Sequence, residues 1–263
     1  MSLPAYVEQG CGSDALVFLH GVGGGHAAWD DQLPYFAGIG YRAVAWDQPG
    51  YGASPLVEPY DLEHVAGALG ALIEHLGDAP VTLVGHSMGG FVAQEAYARF
   101  PHRIKALALC FTSAAFGGAG GDFQRQFIAA RIAPLDQGGT MADISSRLMS
   151  TMRGSRSRPG GLERAERIMA GVSPGTYRKA VTLLTTFDRR PLLPRIAVPT
   201  LLLAGAEDRT APPPVMQRMA QKIARAEYVV LEGCGHLGPM DQPDEFNRAL
   251  AAFLERHTNR CEA

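Results

Sequence analysis

Short apolar runs that alternate with helical patterns are the feature that most constrains how this chain can fold. The strand-like runs are Leu16–His20, Ala43–Asp47, Val81–Gly85, Ile104–Cys110, Thr200–Ala204 and Glu227–Leu231. Their short length and nearly continuous hydrophobicity are typical of strands buried on both faces of a parallel sheet. Patterns of helical period lie among them, at Asp61–Leu76, Gly89–Phe100, Val215–Ile223 and Pro243–His257. The alternation predicts an α/β fold, with a mostly parallel, twisted sheet flanked by helices.

One stretch, residues 114–190, contains no strand-like run and opens with a Gly-rich segment. We interpret it as a helical cap, inserted into a core made of residues 1–113 and 191–263. The insertion carries 12 Lys and Arg against 6 Asp and Glu, whereas the rest of the chain carries 12 against 20. Two interpretations of this asymmetry stay open: a solvated helical surface, or a lid whose positive field attracts an anionic substrate.

Charge and hydropathy exclude several other classes of protein. The chain has 24 Lys and Arg against 26 Asp and Glu and no basic block, which argues against a nucleic-acid partner. No apolar stretch is long enough to cross a membrane, and the residues after Met1 show no signal-peptide pattern, so we expect a cytoplasmic protein. Cys11, Cys110, Cys234 and Cys261 form no CxxC pair, and we expect reduced thiols rather than a metal site.

A G-x-S-x-G sequence, Gly85–Gly89, directly follows one strand-like run and precedes a helical pattern. That order is what a nucleophile elbow needs, because a sharp strand-to-helix turn projects the serine hydroxyl off the sheet. A second match contains Ser173, but the next residue is Pro174, which lacks the backbone N–H that an oxyanion hole requires. We therefore predict Ser87 as a nucleophile and place Ser173 in a helix-ending turn.

A serine nucleophile needs a base and a carboxylate that orients the base. His236 lies on a Gly-rich loop after the last strand-like run, where its imidazole can reach the serine. His86 is adjacent to the serine but must point elsewhere, because neighbouring side chains in such a turn diverge. Asp208 follows the Thr200–Ala204 run and is preferred as the orienting acid to Glu207. Asp47 also ends a strand-like run, and we expect it to have a structural turn role.

The remaining part of the predicted site is a Gly-rich segment, His20–Gly25, directly after the first strand-like run. Such a segment lets backbone N–H groups approach a substrate oxygen closely. We predict that the N–H groups of Val22 and Met88 form an oxyanion hole. A phosphate-binding loop is rejected, because the segment has neither the Walker A lysine nor the G-x-G-x-x-G register.

Several motifs in this order resemble those of the α/β-hydrolase superfamily, from about Leu16 to Leu254. They are His20-Gly21 with Trp29, Asp47–Ser54, Gly85–Gly90, Gly205–Asp208 and Gly235-His236. The resemblance implies an α/β-hydrolase fold with a helical cap over a Ser-His-Asp triad, and no cofactor or metal. The stretch before Leu16 is too short for the two antiparallel strands that the family often has, so at least one is expected to be missing or short.

Within the superfamily the chain is most similar to the 3-oxoadipate enol-lactonase-like hydrolases, through Met169–Tyr177, Phe187–Arg190, Val198–Leu201 and Ala211–Pro213. This implies hydrolysis of a small-molecule carboxylic ester or lactone through an acyl-enzyme, with a carboxylate-bearing enol-lactone of aromatic catabolism as one such substrate. A carbon–carbon bond hydrolase of meta-cleavage type, a perhydrolase and a non-catalytic ligand-binding protein are the alternatives. Carbon–carbon bond hydrolases usually have Asn in place of His86 and Pro in place of Gly24.

Candidate substrate contacts are large or charged side chains near the predicted site and in the predicted cap. They are Trp29, Phe116, Arg131 and Phe187. No pattern in the chain indicates an oligomeric state.

Overall fold

A computed structural model of the chain describes residues 3–117 and 121–257. Within these residues a 7-stranded sheet has the order β1-β3-β2-β4-β5-β6-β7. Strand β1 pairs with β3 in antiparallel fashion, and the other neighbours pair in parallel. The strands are β1 Tyr6–Gln9, β2 Ala15–Leu19, β3 Arg42–Trp46, β4 Val81–His86, β5 Ile104–Cys110, β6 Thr200–Gly205 and β7 Ala226–Leu231.

Helices cover the sheet and form the segment between β5 and β6. They are α1 Gln32–Gly38, α2 Leu62–His75, α3 Met88–Arg99, α4 Asp122–Asp136, α5 Met141–Met152, α6 Pro159–Ala170, α7 Pro174–Leu184, α8 Pro213–Ala220, α9 Gly238–Asp241 and α10 Pro243–His257. Asp61 begins α2, where its side chain accepts a hydrogen bond from the His64 backbone N–H at 2.9 Å. Such a cap satisfies an N–H group that the helix itself cannot pair.

The predicted α/β class and parallel sheet are confirmed. The bounds of the six predicted strands agree with those of β2 to β7 to within one residue. The apolar runs mark these strands well because β2, β4 and β6 are buried along their whole length. The expected short edge strand is β1, which has 4 residues. Cys11, Cys110 and Cys234 are free thiols. Cys261 lies outside the described residues, as do Met1, Ser2 and residues 118–120 of the Gly-rich segment.

The parallel strands place several chemically interesting residues at one edge of the sheet. Strands β2, β4 and β6 point the same way, so the loops that follow them meet at their carboxyl ends. Ligand sites of open parallel sheets lie at this edge. The loops after these strands carry His20, Ser87 and Asp208, and the loop after β7 carries His236.

Helices α4 to α7 form an insertion over that edge, which we call the helical insertion (Asp122–Leu184). Its two ends are joined next to the sheet by backbone hydrogen bonds, from Phe116 N–H to Phe187 C=O at 2.9 Å and from Arg189 N–H to Ala114 C=O at 2.7 Å. Ser173 lies between α6 and α7, where its hydroxyl caps α7 by accepting from the Thr176 N–H at 3.1 Å. None of the helices described is long and apolar enough to cross a membrane.

Candidate active site

Ser87 sits in a strained turn between β4 and α3. Its backbone has φ 53° and ψ −118°, a conformation that residues other than glycine rarely adopt. Two hydrogen bonds hold this peptide: the Ser87 N–H donates to Cys110 C=O at 2.9 Å, and the Thr112 hydroxyl donates to Ser87 C=O at 2.8 Å. A Cβ atom added to Gly89 would lie 2.0 Å from the Leu19 carbonyl oxygen. Gly89, two residues after Ser87, is therefore required by close packing against β2.

Ser87, His236 and Asp208 form a continuous hydrogen-bonded chain. The Oγ of Ser87 lies 2.9 Å from His236 Nε2, and His236 Nδ1 lies 2.8 Å from Asp208 Oδ2. Because an ionised carboxylate can only accept, Nδ1 carries the proton and Nε2 is free to accept from the serine hydroxyl. This is the tautomer in which a histidine can remove a proton from a serine.

The Asp208 carboxylate is held in one orientation. Its other oxygen, Oδ1, accepts hydrogen bonds from the backbone N–H groups of Thr210 at 2.7 Å and Ala211 at 3.0 Å. Burial favours the neutral acid, but His236 and these two N–H groups outweigh burial and lower the pKa of Asp208. The carboxylate is therefore ionised at neutral pH.

Two backbone N–H groups next to Ser87 are available as donors. Neither the Val22 nor the Met88 N–H donates a hydrogen bond to another described residue. Met88 is the first residue of α3, where N–H groups lack partners and the helix dipole favours negative charge. The Val22 loop is fixed by the Tyr51 hydroxyl, which donates to Val22 C=O at 2.8 Å. The loop lies close to the serine, since a Cβ on Gly21 would be 3.1 Å from Ser87 Cβ.

Two buried histidines that the sequence reasoning gave no side-chain role support this arrangement. Burial lowers the pKa of His20 to about 4 and that of His86 to about 3, so both rings are neutral at pH 7. His20 Nε2 accepts from the Gln48 N–H at 3.0 Å and Nδ1 lies 2.9 Å from Gly21 C=O, which joins two loops of the site. His86 points away from Ser87, as expected, and its Nε2 donates to His236 C=O at 2.7 Å.

Asp47 and Glu207, the two acids not preferred as the orienting carboxylate, have structural contacts. Asp47 Oδ1 accepts from the His26 N–H at 2.8 Å and Oδ2 contacts the His26 ring at 2.9 Å, so Asp47 anchors the Gly-rich loop. Glu207 faces the helical insertion, where it accepts from the Ser155 N–H at 2.8 Å. Neither carboxylate is bonded to His236.

A pocket of about 130 Å³ opens over Ser87 and is enclosed by the sheet edge and the helical insertion. Phe116 and Arg131 line it, as the sequence predicts. Trp29 does not: it is fully buried against Phe18 and Phe246, below the pocket. Phe187 is also absent from the wall, because its ring stacks on Phe91 with centroids 3.9 Å apart. In this structure Trp29 and Phe187, which the sequence analysis offers as substrate contacts, make packing contacts and do not line the pocket.

The pocket wall is mostly apolar and rich in methionine. Met149, Met152, Met169 and Met240 line it. The side chains of Met149 and Met152 lie three residues apart on α5, so helical periodicity places them on one face. The sequence alone does not identify these four side chains as a pocket wall, because they become neighbours only when α5, α6 and α9 pack together.

Arg131 brings a positive charge to this apolar wall. It lies over the Phe127 ring at 5.1 Å and forms no ion pair with a carboxylate among the described residues. Tyr177, also in the wall, has a buried hydroxyl without a hydrogen-bond partner in the described part of the chain. Burial raises the pKa of this hydroxyl, and the positive charge of Arg131, which lines the same pocket, opposes that rise. In the described residues, no group of His, Cys, Asp and Glu could hold a metal ion.

Comparison with known proteins assigns the family. A family model described as the alpha/beta hydrolase fold matches residues 14–243. The chain belongs to the α/β-hydrolase fold family. It is 30% identical to 3-oxoadipate enol-lactonase 2 of Acinetobacter baylyi, over 92% of this chain and 89% of that protein. It is equally similar, at 30% identity over 95% of this chain and 97% of the other, to a Mycobacterium tuberculosis protein named as a non-heme bromoperoxidase, BpoC.

Solved structures of this α/β-hydrolase family agree with the fold. A thermophilic esterase from Thermogutta terrifontis, determined with malate bound, superposes with a TM-score of 0.88 at 26% identity, over 97% of this chain and 94% of that one. The relatives include a lactonase and an esterase, so the chain is similar to hydrolases of ester bonds.

Proposed function

We propose that this α/β hydrolase cleaves a carboxylic ester or lactone through an acyl-enzyme on Ser87. The observation that carries the proposal is the hydrogen-bonded chain from Ser87 Oγ through His236 to Asp208, at 2.9 and 2.8 Å, at the base of an enclosed pocket. An isolated serine hydroxyl is a weak nucleophile, and a base in this tautomer and at this distance is what activates it.

The reaction follows from the geometry in two steps. His236 Nε2 takes the Ser87 proton as Oγ bonds to the carbonyl carbon, and the N–H groups of Val22 and Met88 stabilise the negative oxygen. The carbon–oxygen bond of the ester then breaks, and the imidazolium returns its proton to the leaving oxygen. In the second step a water molecule gives a proton to His236 and attacks the acyl carbon. The bond from that carbon to Ser87 Oγ then breaks, His236 returns the proton to Oγ, and the acid leaves.

We further propose that the substrate carries a carboxylate and an apolar body, and that the helical insertion acts as the cap that encloses it. An Arg131 without a carboxylate partner, beside the unpaired Tyr177 hydroxyl, can bind an anionic group in a bidentate manner. The four methionines offer an adaptable apolar surface for the rest of the molecule. A carboxylated lactone fits these groups, in line with the lactonase among the relatives.

The first experiment tests the nucleophile with p-nitrophenyl butyrate. Wild-type protein should release p-nitrophenol with a burst, and intact-mass measurement after a rapid quench should find one butyryl group on wild type and none on Ser87→Ala. Ser87→Ala and His236→Ala should each lose at least about 10³-fold in kcat. Ser173→Ala is the matched control, since Ser173 stands in the other G-x-S-x-G sequence and caps α7.

Two results would count against this mechanism. Near-wild-type turnover by Ser87→Ala would exclude Ser87 as the nucleophile. If a vinylogous diketone were cleaved efficiently while esters and lactones were not, carbon–carbon bond hydrolysis on the same residues would replace the proposal.

The second experiment tests the carboxylate. A lactone that bears a carboxylate and its neutral methyl ester are compared on wild type, Arg131→Met and Arg125→Met. Arg125 lies on the same helix but is exposed and paired with Asp122, so its variant is the control. Arg131→Met should lower kcat/KM for the charged lactone by about 10- to 100-fold, because a charge-assisted hydrogen bond contributes about 1.5–3 kcal/mol, and leave the neutral one unchanged. Equal losses on both lactones would remove the anion from the proposal.

A further inference from the structure

The connection between α5 and α6, residues Arg153–Arg158, packs directly on the loop that carries His236. We propose that this connection positions His236 and Asp208 for catalysis, so that the helical insertion sets the geometry of the triad besides enclosing the pocket. The inference rests on the proposed function, because it assigns a purpose to contacts with two residues of the proposed triad.

Backbone hydrogen bonds tie the two segments together. The His236 N–H donates to Met152 C=O at 2.8 Å, at the point where α5 ends. The Arg156 N–H donates to Gly233 C=O at 2.9 Å. The loop therefore donates one hydrogen bond to the helical insertion at His236 and accepts another from it three residues earlier, at Gly233.

Two glycines allow this close approach. A Cβ atom on Gly154 would lie 2.3 Å from the Gly233 oxygen and 2.5 Å from the Gly235 nitrogen. In the opposite direction, a Cβ atom on Gly235 would lie 2.1 Å from the Met152 oxygen. Because real Cβ contacts are essentially never this short, a side chain at either position must push the two backbones apart.

The His236 peptide is also held from the other side. The His86 ring, which is fixed in the elbow next to Ser87, donates from Nε2 to His236 C=O at 2.7 Å. The N–H of His236 is thus bound by the insertion and its C=O by the elbow. These two bonds fix the peptide groups on both sides of the His236 Cα, from which the imidazole projects toward Ser87.

The same connection reaches the loop of the acid. Ser155 donates from its N–H at 2.8 Å and from its hydroxyl at 2.5 Å to the carboxylate of Glu207. Glu207 immediately precedes Asp208, and its own N–H donates to Cys234 C=O at 2.9 Å. One short segment of the insertion therefore contacts both loops that carry His236 and Asp208 of the proposed triad.

The principal test adds a methyl group between the two backbones, at Gly154. Gly154→Ala is compared with Gly160→Ala, a change six residues away in the same insertion where an added Cβ would meet nothing within 4 Å. We expect Gly154→Ala to lower kcat for p-nitrophenyl butyrate by about 10- to 100-fold, since misplacing a catalytic group by about 1 Å costs on the order of 10²-fold. KM should change by less than about twofold, because the pocket wall is retained. Gly160→Ala should match wild type.

A second variant, Ser155→Ala, tests the same contact with less risk of misfolding. Ser155→Ala removes one hydrogen bond to Glu207 without adding volume and should lower kcat about threefold to tenfold, about the effect of one hydrogen bond of 0.5–1.5 kcal/mol. Its control is Ser150→Ala, because the exposed Ser150 hydroxyl donates to Arg147 C=O within its own helix, α5. Thermal melting of all four variants shows whether any loss of kcat follows a loss of folding.

An independent readout separates this inference from the proposed reaction. The His236 Nδ1–H proton bonded to Asp208 should give a far-downfield resonance in the proton NMR spectrum, which is assigned by its absence from His236→Ala. That resonance should shift or broaden in Gly154→Ala and stay in place in Gly160→Ala, whether or not esters are hydrolysed. An unchanged resonance together with wild-type kcat in Gly154→Ala and Ser155→Ala overturns the inference. A retained resonance without any ester turnover by wild type contradicts the proposed function instead.

Discussion

The replacement of Asp208 by asparagine tests the proposed triad most directly, because the structure dictates how the amide must sit. Asp208 Oδ1 accepts from the N–H groups of Thr210 and Ala211, at 2.7 and 3.0 Å. An asparagine must keep its carbonyl oxygen at that position, since an NH₂ group there would face two donors. Its NH₂ group is then directed at His236 Nδ1, which lies 2.8 Å from the present Oδ2.

The expected effect follows from the tautomer. An NH₂ donor at this position requires Nδ1 to accept, which moves the imidazole proton to Nε2. The ring can then no longer accept the Ser87 proton, although every heavy atom remains in place. A change of this kind in a serine protease costs about 10⁴-fold in kcat, which corresponds to about 5.4 kcal/mol of activation free energy.

The assay is steady-state hydrolysis of p-nitrophenyl butyrate at pH 7.5 by wild type, Asp208→Asn and Glu207→Gln. We expect Asp208→Asn to lose 10³- to 10⁴-fold in kcat. Glu207→Gln keeps an oxygen for Ser155 and should lose less than about tenfold, the effect of one hydrogen bond. A similar modest loss in both variants, with both folded, would refute the role assigned to Asp208. The reverse ranking would assign the orienting role to Glu207.

Three further outcomes are expected. Burial raises the pKa of Asp241 to about 6, above the value of about 3.9 in an unfolded chain. The contribution of Asp241 to stability therefore falls as pH rises from about 4 to about 6. The Tm of Asp241→Asn relative to wild type should increase over that interval, and parallel Tm curves would contradict this. Gly89→Ala should cost about 1–3 kcal/mol of unfolding free energy in denaturant titration, since its Cβ would meet the Leu19 oxygen at 2.0 Å. Gly38→Ala, with open space around its Cβ, should cost little, and equal costs in the two variants would contradict this. Phe187→Leu should lower Tm because Phe187 stacks on Phe91, but KM should change by less than about twofold. A large rise in KM would instead indicate that Phe187 contacts the substrate.

The sequence by itself determines the strands, their parallel arrangement and the position of the elbow. These features depend on local patterns: a short apolar run is buried on both faces, and a glycine on each side of the elbow lets the chain turn sharply. The rejection of Ser173 is also local, because Pro174 has no N–H. In the structure Ser173 lies in the turn after α6, and its hydroxyl caps the start of α7.

The choice between neighbouring residues and the lining of the pocket are decided by tertiary structure. Asp208 and Glu207 are adjacent in sequence, but one faces His236 and the other Ser155. The sequence analysis offers Trp29 as a substrate contact and gives Tyr177 no role in the pocket. In the fold Trp29 packs below the pocket and Tyr177 lines it. Such contacts join segments that are far apart in the chain, so they exist only after the helices of the insertion have packed on the sheet.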